Sequence, residues 1–181
     1  MNFALPVGSW VVGAAHAVWR TEMPARVQAL VALFRHVQAT RMVGVPVLNA
    51  ALEVEAVGFE PALVEPGEPP AAVGVLLTPW FMNLVWLPLQ PDPRADRVGQ
   101  GRVRAVGPTS FEFIGAHEPG LGAYEACSLA SPMFEFPDQA QARATARAVL
   151  AELRPPVPPG PPISKGRRGF LFGRSAVEAQ P

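Results

Sequence analysis

Glu112 and Glu125 stand in two alternating segments, SFEFIG and AYEACSL, joined by the turn HEPGLG, which begins with His117. Two carboxylates brought together across a hairpin beside an imidazole would suit general acid/base chemistry. A small hydrolase or transferase using Glu112, Glu125 and His117 is therefore the alternative function to weigh. Against it, glutamates at alternate strand positions ordinarily form a solvated face. Cys127 is the one thiol, and a nucleophilic cysteine needs a nearby base and something to lower its pKa. Its place in AYEACSL, sharing a face with Ala123 and Glu125, reads instead as a small buried thiol. His16 and His36 are far from it along the chain, and no CxxC pair or closely spaced histidines offer a metal cage. VGQGRVRAVG lacks both the P-loop lysine and the dinucleotide fingerprint. No cofactor is expected.

The stretch LTPWFMNLVWLP carries chemistry of another kind, that of docking, with two of the four tryptophans of the chain. As a strand it would put Trp80, Met82, Leu84 and Trp86 on one face and Phe81, Asn83, Val85 and Leu87 on the other, both apolar. A central strand would explain that, but Asn83 would then need partners for its amide. Tryptophan and methionine together suit an adaptable apolar groove. Trp80, Phe81, Met82 and Asn83 form the partner-binding set, with Glu53, Glu55, Glu112 and Glu125 as the acidic surface beside it.

The elements that position these residues follow from composition and period. With 181 residues, 49% of them apolar and 17% charged, the chain suits one domain with a real core. Its 22 prolines and 16 glycines demand short elements and many turns. Zero net charge gives no global attraction to nucleic acid or an anionic membrane. Pro6–Trp19 is apolar but too short to span a bilayer, is broken by glycine and lacks a basic flank. Residues 1–20, without periodicity, read as a loosely attached extension, and cytoplasmic residence is expected.

From Thr21 the apolar residues Val27, Leu30, Val31, Phe34 and Val37 recur at helical spacing, with Thr21 as cap, Pro24 in the first turn, and Gly44 and Pro46 as the stop. NAALEVEAVGF alternates as a half-buried strand, with Glu53 and Glu55 on one face. AAVGVLLT reads as a strand covered on both sides, and Pro79 bends the chain before a second strand. RVRAV, SFEFIG and AYEACSL form an antiparallel meander. Asp138 and Gln141 make a capping box for a helix whose face is Ala142, Ala146, Val149, Leu150 and Leu153. The fold class is α+β: a mostly antiparallel sheet flanked by an N-terminal and a C-terminal helix, the folded unit spanning residues 21–153.

RPPVPPGPP then begins a Pro-rich linker and basic tail, residues 154–181, which the polyproline II preference makes a stiff spacer. Residues 1–154 carry a net charge of −3 and residues 155–181 a net charge of +3.

Three segments, TRMVGVPVLNAALEVEAVGF, GVLLTPWFMNLVWLP and FEFIGAHEPGLGAYEACSLASPMFEFPDQAQARATA, cover roughly residues 40–146 and resemble the HybE/HupJ family of nickel-iron hydrogenase assembly chaperones. The resemblance implies a non-enzymatic, cytoplasmic maturation factor attending hydrogenase precursor subunits. The favoured client is the small subunit, with its iron-sulfur clusters and twin-arginine export signal. It also brings a rubredoxin into view as a further partner, although a lone cysteine means that no rubredoxin domain is fused to this chain. The tail segment GRRGFLFG resembles the twin-arginine signature S/T-R-R-x-F-L-K. Arg167, Arg168, Phe170 and Leu171 match it, while Gly166 and Phe172 depart. It lies at the wrong end to be an export signal. The expectation is a mimic of the client signal that occupies the chaperone's own recognition surface, its arginines read by Glu53, Glu55, Glu112 and Glu125 and its Phe-Leu pair by Trp80, Phe81 and Met82. The alternative is a solvated basic tail.

Overall fold

The computed structural model describes residues 10–154, with side chains from Thr21 onward. The twin-arginine-like residues Arg167, Arg168, Phe170 and Leu171 lie outside the described residues. The first helix, α1, runs Trp10–Thr40, and six strands follow: β1 (Glu55–Pro61), β2 (Ala71–Leu77), β3 (Met82–Pro88), β4 (Gly101–Val106), β5 (Thr109–Glu118) and β6 (Gly122–Ala130). The last helix, α2, spans Gln139–Leu153. The strands form one sheet in the order β1-β2-β3-β6-β5-β4, with every neighbouring pair antiparallel. The α+β reading and the meander of β4, β5 and β6 are both realised.

One boundary differs. Thr21 is inside α1 rather than capping it, and Pro24 sits in the helix interior. WVVGAAHAVW is apolar all round, so it carries no 3.6-residue contrast, while Pro24 reads locally as a helix start. The strand in NAALEVEAVGF also begins later, at Glu55, so that Glu53 precedes it.

The two helices cover opposite faces of the sheet. On the α1 face Leu30 and Phe34 pack on Leu76, Val85, Leu87 and Tyr124. On the α2 face Ala142, Ala146, Leu150 and Leu153 pack with Val57, Val73, Val75 and Leu84. This explains why β2 is buried at every position, whereas β4 alternates. A bulge in β1 lets α2 come close: Gly58 has φ +58°, and a Cβ there would stand 2.6 Å from Leu150 Cδ1. Asp138 caps α2, its side chain accepting from the Gln141 N–H at 2.8 Å. The far end is held by Arg154, which donates to the carbonyls of Gly58 and Val73, each at 2.7 Å.

Candidate functional site

The turn before β3 is built by Thr78, whose buried hydroxyl accepts from the Phe81 N–H at 2.9 Å and from the Trp80 N–H at 3.3 Å. The Thr78 N–H donates to the Phe81 carbonyl at 2.9 Å, which closes the turn. Strand alternation therefore starts only at Met82. Trp80 does not share a face with Met82, as strict alternation predicts. It stacks with Phe81 on the α1 side, ring centroids 5.5 Å apart and T-shaped, and both rings meet Phe34 at 6.4 and 5.6 Å. Trp80 and Phe81 remain half-buried, whereas Met82 is sealed on the α2 side at 1% exposure. Met82 thus belongs to the core beneath α2 and is not a surface contact. Asn83 is half-buried, and its Oδ1 is enclosed without a hydrogen-bond partner among the described residues.

Asn49 organises this end of the sheet. Its N–H donates to the Pro79 carbonyl at 2.9 Å, and its Nδ2 donates to the carbonyls of Met133 and Phe136 at 2.9 and 2.8 Å. Ser131 Oγ donates to the Trp80 carbonyl at 3.2 Å. Parts of VLNAALEVE, TPWFMN and SPMFEF, distant in sequence, are thereby fastened into one patch. Phe134 projects from it at 59% exposure. On the other, α2, face a groove of about 330 Å³ runs between α2 and β6, lined by Met82, Leu129, Ala130, Phe136 and Val149, with Glu135 and Gln141 at its polar margin.

The four carboxylates are dispersed. Glu55 is held by Arg143 at 2.6 and 2.9 Å and by Gln139 Nε2 at 2.6 Å. The Arg143 bond chiefly holds its carboxyl below the usual range, against the opposing effect of burial. Glu125 takes a bidentate pair from Arg104 at 2.5 and 2.9 Å. Arg104 also meets Glu68 at 3.0 Å and lies 4.0 Å above the Trp86 ring. Arg102 joins the same cluster through Glu68. Burial pushes the Glu68 carboxyl up, but Arg104 and Arg102 outweigh it and hold it below its ordinary value. This ionic cluster lines a second cavity, of about 250 Å³. Glu53 and Glu112 are exposed and outside any ion pair among the described residues.

Glu112 and Glu125 do not approach one another. Glu125 lies opposite Gly115, three residues from Glu112, so the two side chains leave opposite faces of the sheet. His117 is on the Glu125 side, with that carboxylate already engaged by Arg104. Burial and then the charge of Glu112 push the Cys127 thiol up, the opposite of nucleophile activation. Among the described residues no group of three or more His, Cys, Asp or Glu could hold a metal ion. No described helix is long and apolar enough to cross a membrane.

The described residues thus form one antiparallel sheet between two helices, with an aromatic patch at one end of it. The chain belongs to the HybE family of nickel-iron hydrogenase assembly chaperones, whose family model matches residues 25–173. It is 48% identical over 165 residues to Protein HoxT of Cupriavidus necator, covering 86% of this chain and 92% of that one. It is 38% identical to the hydrogenase expression/formation protein HupJ of Bradyrhizobium diazoefficiens, with 77% and 83% covered. A protein named probable rubredoxin HupJ, from Rhodobacter capsulatus, is 37% identical over 142 residues, and the match spans 49% of its length. The solution structure of HybE from Escherichia coli has the same fold, with TM-score 0.52 and 21% identity over 84% of this chain and 91% of that one. The role is accordingly that of a hydrogenase assembly chaperone.

Sequence reasoning did not single out Asn49, Ser131, Phe134 or the groove residue Leu129, and it read Val149 only as part of the apolar face of α2. SPMFEF was visible as a motif, and two phenylalanines in six residues between a strand and a capped helix were its available signal.

Proposed function

We propose that this chaperone holds a precursor subunit of nickel-iron hydrogenase at the docking end of the sheet. The small subunit is the favoured client, with its twin-arginine signal the segment read, in the cytoplasm before export. The observation that carries this reading is the fastening by Asn49 of half-buried Trp80 and Phe81 on the α1 face at the end of the sheet where Phe134 is exposed. Rigid aromatic rings supply large contact area at low entropic cost. Glu53 and Glu112, exposed and unpaired among the described residues, are the carboxylates free to meet client arginines, whereas Glu55 and Glu125 serve the fold. The reading is one of binding, and the acid/base alternative loses its geometry because Glu112 and Glu125 leave opposite faces of the sheet. A rubredoxin acting as a separate partner is a further element of the proposal, suggested by the name of the R. capsulatus relative.

Affinity purification of the intact chain from cells making a hydrogenase, with bound polypeptides identified by mass, tests this. The small-subunit precursor should co-purify, and Trp80→Ala or Phe81→Ala should reduce its yield at least tenfold while the circular dichroism spectrum is retained. Recovery of no hydrogenase subunit, or equal recovery by both variants, would reject the site.

A further inference from the structure

The groove between α2 and β6 is open, with no cover among the described residues. Along the β6 side of α2, Phe111, Cys127, Leu129 and Val149 pack on the core yet stay partly exposed. The groove proper lies beside the first two-thirds of α2, lined there by Gln141, Thr145 and Val149. The other end of α2, at Leu153, abuts the turn between β4 and β5, where the Leu153 carbonyl leaves no space for a Cβ on Gly107.

The chain supplies its own candidate occupant. Residues 166–173, GRRGFLFG, place three large apolar side chains directly after two arginines. The 15 residues of α2 measure about 22 Å. The nine residues RPPVPPGPP would reach about 28 Å as polyproline II. A chain that leaves Leu153 and turns back alongside α2 therefore has the reach to return to the groove with residues to spare. Charge favours the return: residues 155–181 carry +3 and residues 1–154 carry −3. At the groove margin Glu135 is exposed and has no ion pair among the described residues. The family match runs to residue 173 and so includes this segment as well as the folded core.

We propose that residues 166–173 dock in the chain's own groove, Phe170 and Leu171 against Leu129 and Val149, and Arg167 and Arg168 toward Glu135. The tail is then an internal competitor that a client must displace. That last step rests on the docking function proposed above, whereas tail docking itself is measurable without any client. The tail's apolar pair meets Leu129 and Val149, away from the Trp80 and Phe81 rings that sequence alone suggested.

The test uses the full-length protein and a fluorescent peptide of residues 164–175, with binding read by anisotropy. A tethered tail has an effective concentration of about 1 mM, so against a peptide Kd of about 0.1 mM the intact chain should bind the peptide roughly tenfold more weakly than a Phe170→Ser/Leu171→Ser/Phe172→Ser chain. Adding Val149→Asp to the serine-substituted chain should abolish peptide binding. If that variant loses its native circular dichroism, Glu135→Lys, on an exposed side chain, should weaken binding several-fold instead. Equal peptide affinity for the intact and serine-substituted chains, or none for either, overturns the proposal. Binding untouched by the groove substitutions overturns it too. None of these outcomes depends on hydrogenase, so failure here leaves the client-docking site standing. Loss of client co-purification would likewise leave tail docking standing.

Discussion

The two halves of the sheet solve the same burial problem differently. β1, β2 and β3 lie between two helices, and β2 can be apolar at every position because both of its faces are dry. The β4 and β5 half has helix cover on neither side to the same extent. Its α1 face leaves Val103 70% exposed and Ile114 45% exposed. On its other face Val106 and Phe113 join the α2 core, and beside them Arg104 spreads over the buried Trp86 ring while Glu68 and Glu125 neutralise it. A long cationic side chain can cover an aromatic surface with its stem and plane if its charge is paired. Close packing thus holds the covered half, and the outer half depends on an ion network that is sensitive to the loss of any one member.

The comparison breaks most visibly at a residue sealed between the helices. Leu84→Ala should cost about 4 kcal/mol in urea unfolding, since a leucine-sized cavity there cannot collapse. A cost under about 1 kcal/mol would mean that the covered half is loosely packed. Glu125→Ala probes the outer half, leaving Arg104 over Trp86 with a single partner, and should cost about 3 kcal/mol. Double substitution with Arg104→Met should recover much of that loss, whereas a merely additive result would show that the pair is not the unit of stability. At the docking end, Asn49→Ala removes the donor shared by Met133 and Phe136 and should cost about 2 kcal/mol, with client recovery falling in parallel.

Acid sharpens the contrast by its sign. The folded carboxyls of Glu55 and Glu68 lie below their unfolded value of about 4.3, so their stabilisation is complete above that pH and is lost as pH falls through the depressed folded values. Glu68→Gln should therefore flatten the acid limb of a stability-versus-pH curve, and an unchanged limb would exclude Glu68 as a source of it. Tyr124 runs the other way. Burial, aided by Glu118, pushes its phenol up to about 12, so its stabilisation holds below about pH 10 and fades as pH rises toward 12. The smallest effect should be Val103→Ser, within about 0.5 kcal/mol because the side chain is already in water.

Much of this architecture is legible locally. β2 announced its double cover by an unbroken apolar run, the meander by its turn residues, and α2 by Asp138 three residues ahead of Gln141. The early start of α1 was hidden because a helix apolar all round has no contrasting stripe. The site was half legible. Aromatic density singled out Trp80 and Phe81, but alternation put Trp80 on the face of Met82, because a turn inserted just before a strand shifts the parity of everything ahead of it.

From the sequence alone came the kinds of element, the apolar supply of the core, the absence of a second thiol and the motifs that carry the family resemblance. All of these depend on residue identity and on spacing within a few positions. Only the tertiary structure decided which carboxylates are paired among the described residues and which are not. Arg143 reaches Glu55 across 88 residues, and Asn49 reaches Met133 across 84. Such partners are chosen by how the strands close into a sheet, and no local period records that choice.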